Sequence, residues 1–305
     1  MQERVWRVER PVPVAQILGI LRRGRGDPTY KTTPDGAVWR GIGAPTGPAT
    51  LRVSATPAHG EVHGRAWGPG AEWVLDRLPT MLGDTDDVSG FEPRHAVLVD
   101  AHRRHPHWRL TRTERVMEAL TPAIIEQKVT GQEAFAGFRR LCFRFGERAP
   151  GEGADVGLWV QPGATTIRGI ASWEWLRMHV DPARSRALVN AARYAANLER
   201  TLELGVEEAD RRLRALPGIG VWTSAEVRFR AHGDADAVSF GDYHVGKNII
   251  WALTGEHVDV EDGLAELLEP WAGHRHRVQR LVEFARLGRP RHGPRMAPRT
   301  HLPVR

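Results

Sequence analysis

The sequence predicts an α+β protein, with a strand-rich N-terminal α/β domain ahead of a mainly helical one. Three observations carry this reading. Residues 1 to about 95 alternate β-favouring and polar residues between Gly, Pro and Thr turns. From about residue 97 apolar side chains recur at spacings of three and four, the pattern of one helix face. A tight turn, Leu216-Pro217-Gly218-Ile219-Gly220, then stands between two such helical stretches.

The elements follow in chain order. GAVWRGIG, ATLRVSATP and EVHGRAWG read as three strands, and Ala71 to Leu82 as a short helix interrupted at Pro79. The acidic turn cluster GDTDDVSGFEP marks a boundary, giving domains at 1–96 and 97–289. In the second domain Val116, Leu120, Ile124 and Phe135 share helical spacing, and 148–156 is a Gly/Pro/Ala loop. Leu188, Ala191, Ala195, Leu198 and Leu202 form one stripe, with Asp181 as N-cap before Pro182. VEEADRRLRAL and VWTSAEVRFRA are the helices flanking the tight turn. HVGKNIIWALTG, DGLAELLEPW and HRHRVQRLVEFARL supply the last helices, before a basic Pro/Arg tail at 290–305.

Composition bounds the function. A chain of 305 residues that is 41% hydrophobic, with 11 tryptophans, builds real cores and excludes global disorder. Its single cysteine, Cys142, excludes a disulfide framework, an intrachain thiolate zinc site and a four-cysteine iron–sulfur cluster. His102, His105 and His107 lack accompanying acids or cysteines at zinc-binding spacing, so no metal site is expected. No stretch nears the roughly 20 apolar residues that span a bilayer, so a cytoplasmic protein without membrane partners is expected. The formal charge is +6 from 43 Lys+Arg against 37 Asp+Glu, and only Lys31, Lys128 and Lys247 are lysines. From Gly273 to Arg305 nine arginines face one acid, Glu283, so this end carries +8 and the remainder −2. Such an end either draws in phosphates or is simply solvated.

The chemistry concentrates at two places. In Leu216–Gly220 the glycines let the backbone adopt positive φ and approach another surface closely. The amides of Gly218 and Gly220, at the start of a helix, can then face a phosphate. Twenty-two positions after Gly220 comes Asp242, in Val-Ser-Phe-Gly-Asp-Tyr-His-Val, just before another helix. As an N-cap it accepts free amides, and the same placement keeps its carboxylate ionised.

A hairpin followed by Gly-Asp-Tyr-His resembles the helix-hairpin-helix DNA glycosylase superfamily, most closely 3-methyladenine-DNA glycosylase II, from Arg112 to Trp271. Ile124-Ile125-Glu126-Gln127-Lys128-Val129-Thr130 resembles the helix end and loop that face the lesion, and the N-terminal domain fits that subfamily's extra α/β domain. The resemblance implies a helical domain of two lobes around a cleft, acting as a monomer on double-stranded DNA with a damaged base. It implies base excision repair in the cytoplasm, with nucleoid association when bound. Asp242 matches the catalytic aspartate, and Trp222 stands where bifunctional relatives carry a Schiff-base lysine. The expected activity is therefore monofunctional: hydrolysis of the N-glycosidic bond of flipped-out alkylated purines, without lyase cleavage. Trp222 and Tyr243 would line the base pocket; Leu216, Gly218, Ile219, Gly220, Thr223 and Lys247 would contact DNA. Gln127 and Lys128 are candidates for the gap left by the base, Lys128 alternatively for a phosphate. His274, Arg275 and Arg277 read as phosphate contacts, and Trp271 as lining the cleft. No cofactor is required, though the resemblance suggests a structural monovalent cation on the hairpin carbonyls. Rival readings are a glycosylase for deaminated or bulky lesions and a non-catalytic helix-hairpin-helix DNA-damage-binding protein.

Overall fold

The computed structural model describes residues 1–56, 60–258 and 261–290. The N-terminal part is a five-stranded antiparallel sheet in the order β1-β5-β4-β3-β2. Its strands are β1 (Gln2–Arg7), β2 (Tyr30–Thr32), β3 (Val38–Ala44), β4 (Gly47–Thr56) and β5 (Glu61–Trp67). Three strands match the sequence reading. β1 and β2 are additional: β1 is a charged edge strand of exposed and half-exposed residues, pairing Val5 with His63 and Trp6 with Val62. α1 (Val14–Leu18), α2 (Ala71–Asp76) and α3 (Leu78–Met81) cover one face, burying Ile17, Leu18, Leu51, Val62, Val74 and Leu78. The helix break falls at Arg77, and Pro79 sits in the first turn of α3, where its missing N–H costs nothing.

The other face of the sheet is not left to solvent. A hairpin from the helical part, β6 (Glu147–Arg148) and β7 (Trp159–Val160), packs onto it around the stacked pair Trp39 and Trp67. Contact is close enough that a Cβ on Gly41 would lie 2.2 Å from the Trp159 carbonyl oxygen. Burial on both faces is why β3 is apolar nearly throughout.

α4 (Ala96–Arg104) opens the helical part. α5 (Val116–Ile125), α6 (Gly131–Phe145), α7 (Glu152–Asp155), α8 (Ala164–Gly169), α9 (Ser172–Arg177), α10 (Pro182–Arg193), α11 (Ala195–Glu199), α12 (Val206–Arg214) and α13 (Val221–Val227) follow. α7 lies within the stretch expected as loop. α14 (Val245–Thr254), α15 (Leu264–Leu268) and α16 (Arg275–Ala285) complete the fold. Two cores divide the helices into two lobes. One is built on Leu120, Ile124, Phe138, Leu188, Leu213 and Val227. The other gathers Leu98, Ile249, Leu264, Leu268, Val278 and Leu281, so α4 crosses over to join the C-terminal helices. Asp181 caps α10 by accepting from the Ala183 and Arg184 amides, as its place before Pro182 predicts. No described helix is long and apolar enough to cross a membrane. Of the basic tail, residues 291–305 lie outside the described residues.

Candidate active site

Two connecting segments build the site. The first is the hairpin joining α12 and α13. Leu216 and Ile219 turn their side chains toward the first core, which leaves Pro217, Gly218 and Gly220 exposed at the tip. Gly218 has φ +88°, and a Cβ there would lie 2.7 Å from Ala187 Cβ, so only glycine fits. Gly220 differs from expectation: its φ is −94°, and a Cβ would meet open space. Its value is exposure, not left-handed backbone. Among the described residues the Gly218 and Gly220 amides donate to no other group, leaving two N–H donors on exposed residues. The Ser224 hydroxyl donates to Asp210 Oδ1 at 2.7 Å, tying α13 back to α12.

The second link runs from the π-turn Arg228–His232, which ends α13 at Gly233, to the start of α14. Asp242 lies on it, half-buried. Its Oδ1 accepts the amides of His244 (2.8 Å) and Val245 (3.0 Å), capping α14. Its Oδ2 accepts the indole N–H of Trp222 at 3.2 Å. Three donors therefore converge on one carboxylate and fix its orientation. The loop is braced from two sides. The Asp242 amide donates to the Ser239 carbonyl, and the Ser239 hydroxyl to Glu226 Oε1 at 2.7 Å. The Gly241 amide donates to Glu261 Oε1 at 2.5 Å. Burial pushes the Glu261 carboxyl up, and the nearby Asp242 charge adds to the rise against the Gly241 hydrogen bond.

Beneath Trp222 lies a buried cluster of alternating charge. Arg230 Nη1 donates to Glu226 Oε2 at 2.6 Å, and Arg23 Nη1 to both oxygens of Glu126 at 2.9 and 3.0 Å. Burial raises Glu126 even with Arg23 beside it. It would raise Glu226 too, but Arg230 and Arg23 hold that group below its ordinary range. Neither glutamate was given a role from sequence: Glu126 lies in the Ile124–Thr130 segment, but its partner Arg23 is 103 positions away.

The loop after α5 faces the hairpin. Gln127, expected at the flipped-base gap, instead donates from Nε2 to the Gly218 carbonyl and to Thr223 Oγ1, both at 2.8 Å. It locks the loop to the hairpin. Thr223, expected at DNA, is buried with its hydroxyl accepting from Gln127. Lys128 is exposed with φ +54°, placed at the loop tip by that backbone turn. Thr130 and Glu133 close a capping box at the start of α6, a Thr-x-x-Glu signal that explains the break in one long helical pattern.

Of the C-terminal basic residues expected at phosphates, Arg277 is buried, whereas His274 and Arg275 are half-buried and partnered within the lobe. Arg277 is 3% exposed, paired with Asp86 at 2.6 Å and laid against Phe91 and Trp108. Arg275 forms a forked pair with Asp236, and His274 bonds the Ser89 carbonyl. These side chains hold the C-terminal lobe together. Trp271 likewise is core, its indole N–H donating to the Glu92 carbonyl at 2.9 Å. Tyr243 by contrast is 74% exposed beside Asp242, with Lys247 Nζ 4.5 Å from its ring centroid. Of the hairpin carbonyls, that of Leu216 accepts the Ile219 amide and that of Gly218 accepts Gln127.

No protein-family model and no curated protein matches the chain. Solved structures do. A 3-methyladenine DNA glycosylase from Archaeoglobus fulgidus is similar over 94% of this chain and 98% of its own, with TM-score 0.75 and 17% identity. The apo 8-oxoguanine glycosylase/lyase of Clostridium acetobutylicum is similar over 93% and 96%, with TM-score 0.71 and 12% identity. A 3-methyladenine DNA glycosylase from Schizosaccharomyces pombe, solved with abasic DNA, covers 64% of this chain and 93% of its own at TM-score 0.51 and 17% identity. The chain thus shares its fold with these solved glycosylase structures, over 94% of its length for the first and 93% for the second.

Proposed function

We propose that this chain is a monofunctional DNA glycosylase of the helix-hairpin-helix superfamily that hydrolyses alkylated purines from duplex DNA. The observation that carries the reading is the Asp242 carboxylate, held by the amides of His244 and Val245 and by the indole of Trp222, two residues after the hairpin. The tip amides of Gly218 and Gly220 take phosphate oxygens, and the target nucleotide leaves the stack. The C1′–N bond breaks with its electron pair going to the base, which a positively charged alkylpurine accepts readily. Ionised Asp242 stabilises the oxocarbenium-like sugar; water then adds its hydroxyl to C1′ and releases a proton. Trp222, whose ring edge bonds Asp242, forms one wall of the base site and excludes water there. Having no amine, it cannot form a Schiff base, so the product is an intact abasic site. The enzyme works as a monomer on damaged double-stranded DNA.

The test is base release from duplexes carrying single alkylated, deaminated, bulky or 8-oxoguanine lesions, with borohydride present to trap any Schiff base. The wild type should release alkylated purine without a trapped adduct, and Asp242→Asn should lose about 10²–10³-fold in rate. Full activity in Asp242→Asn, or a trapped adduct, would overturn the assignment.

A further inference from the structure

A groove of about 790 Å³ runs beside the hairpin, between α9 with the preceding Ile170 and α10, with Pro217 and Gly218 as one wall. Its floor is apolar, including Ile170, Trp175 and Ala187. No acidic residue lines it. Arg186 and Arg193 form its rim, seven residues apart on α10 and so about 10.5 Å along the axis. In a chain whose arginines are mostly paired, both are exposed and have no partner among the described residues. Arg184, between the groove and the core on the same helix, is by contrast buried and bonded to Asp181 and the Ile125 carbonyl. Trp175 is 2% exposed, and its indole N–H has no acceptor among the described residues.

From this we infer that the groove is a second DNA-backbone site, taking the sugar–phosphate strand as it leaves the hairpin tip. The inference rests on the DNA-binding reading above. A strand offers what the groove is built for. Phosphates are recognised by unpaired arginines, and deoxyribose carbons suit an apolar floor. A spacing of about 10.5 Å corresponds to about three nucleotides at 3.4 Å of rise per strand. The shared wall makes this footprint continuous with the Gly218 and Gly220 amides.

The test is the salt dependence of binding to an undamaged duplex, measured for the wild type, Arg186→Gln/Arg193→Gln and Arg186→Lys/Arg193→Lys. The glutamine variant should flatten the log–log slope by about 1.8, at about 0.9 per lost contact. The lysine variant should restore most of it, and thermal midpoints should agree across the three. A wild-type slope in the glutamine variant would overturn the groove as a DNA site and leave an acidic protein partner as its occupant. Failure of the wild type to bind any duplex would instead overturn the DNA-binding reading itself.

Discussion

At the scale of single residues the Trp222–Asp242 bond is the most informative contact in the molecule. A neutral N–H donor on a carboxylate orients it without neutralising it. A hydrogen bond to a charged group contributes about 1.5–3 kcal/mol. Trp222→Phe keeps the ring and removes the donor, so single-turnover excision should slow by about tenfold or more with little change in DNA affinity. An unchanged rate would mean the amides of His244 and Val245 suffice to hold the carboxylate.

At the scale of elements the hairpin separates two uses of glycine. Gly218 needs its left-handed φ and abuts Ala187, so Gly218→Ala should lower stability by about 1–3 kcal/mol in denaturant unfolding. Gly220→Ala meets no atom and keeps an allowed φ, so stability should move by less than about 0.5 kcal/mol. Its added methyl still projects from the exposed tip, so duplex affinity should fall in a gel-shift titration. The Gln127 bridge extends this logic, because it fixes the α5 loop and the hairpin as one unit.

The whole molecule carries a pH signature through its buried histidines. Burial lowers His232 to about 4, with its Nε2 3.0 Å from the Thr201 hydroxyl, and holds His276 well below its ordinary value. In the unfolded chain both titrate near 6.5, so there the unfolded state binds more protons. Stability is therefore full above about pH 6.5 and falls as pH drops toward 4, by on the order of 3 kcal/mol for His232. Glu126 acts in the opposite sense, because its raised carboxyl favours the fold once protonated. Unfolding free energies measured from pH 7 to pH 4 should show the loss, and His232→Gln should make it shallower.

Sequence by itself determined the parts whose signals are local. Helical stripes, the Asp181 cap, the Gly218 turn and the Gly-Asp-Tyr-His segment each depend on residues within a few positions of one another. The α+β order and the place of Asp242 were therefore legible, whereas β1 was not, because a charged edge strand lacks an apolar run. Only tertiary structure decided which charges are spent. Arg277 meets Asp86 across 191 positions, Arg275 meets Asp236 across 39, and Gln127 reaches Gly218 across 91. Ion pairs form wherever folding brings opposite charges out of water together, and no local pattern records that distance. The same folding left Arg186 and Arg193 without a partner among the described residues, beside the hairpin. Composition counted the arginines; packing decided which remain free to meet a phosphate.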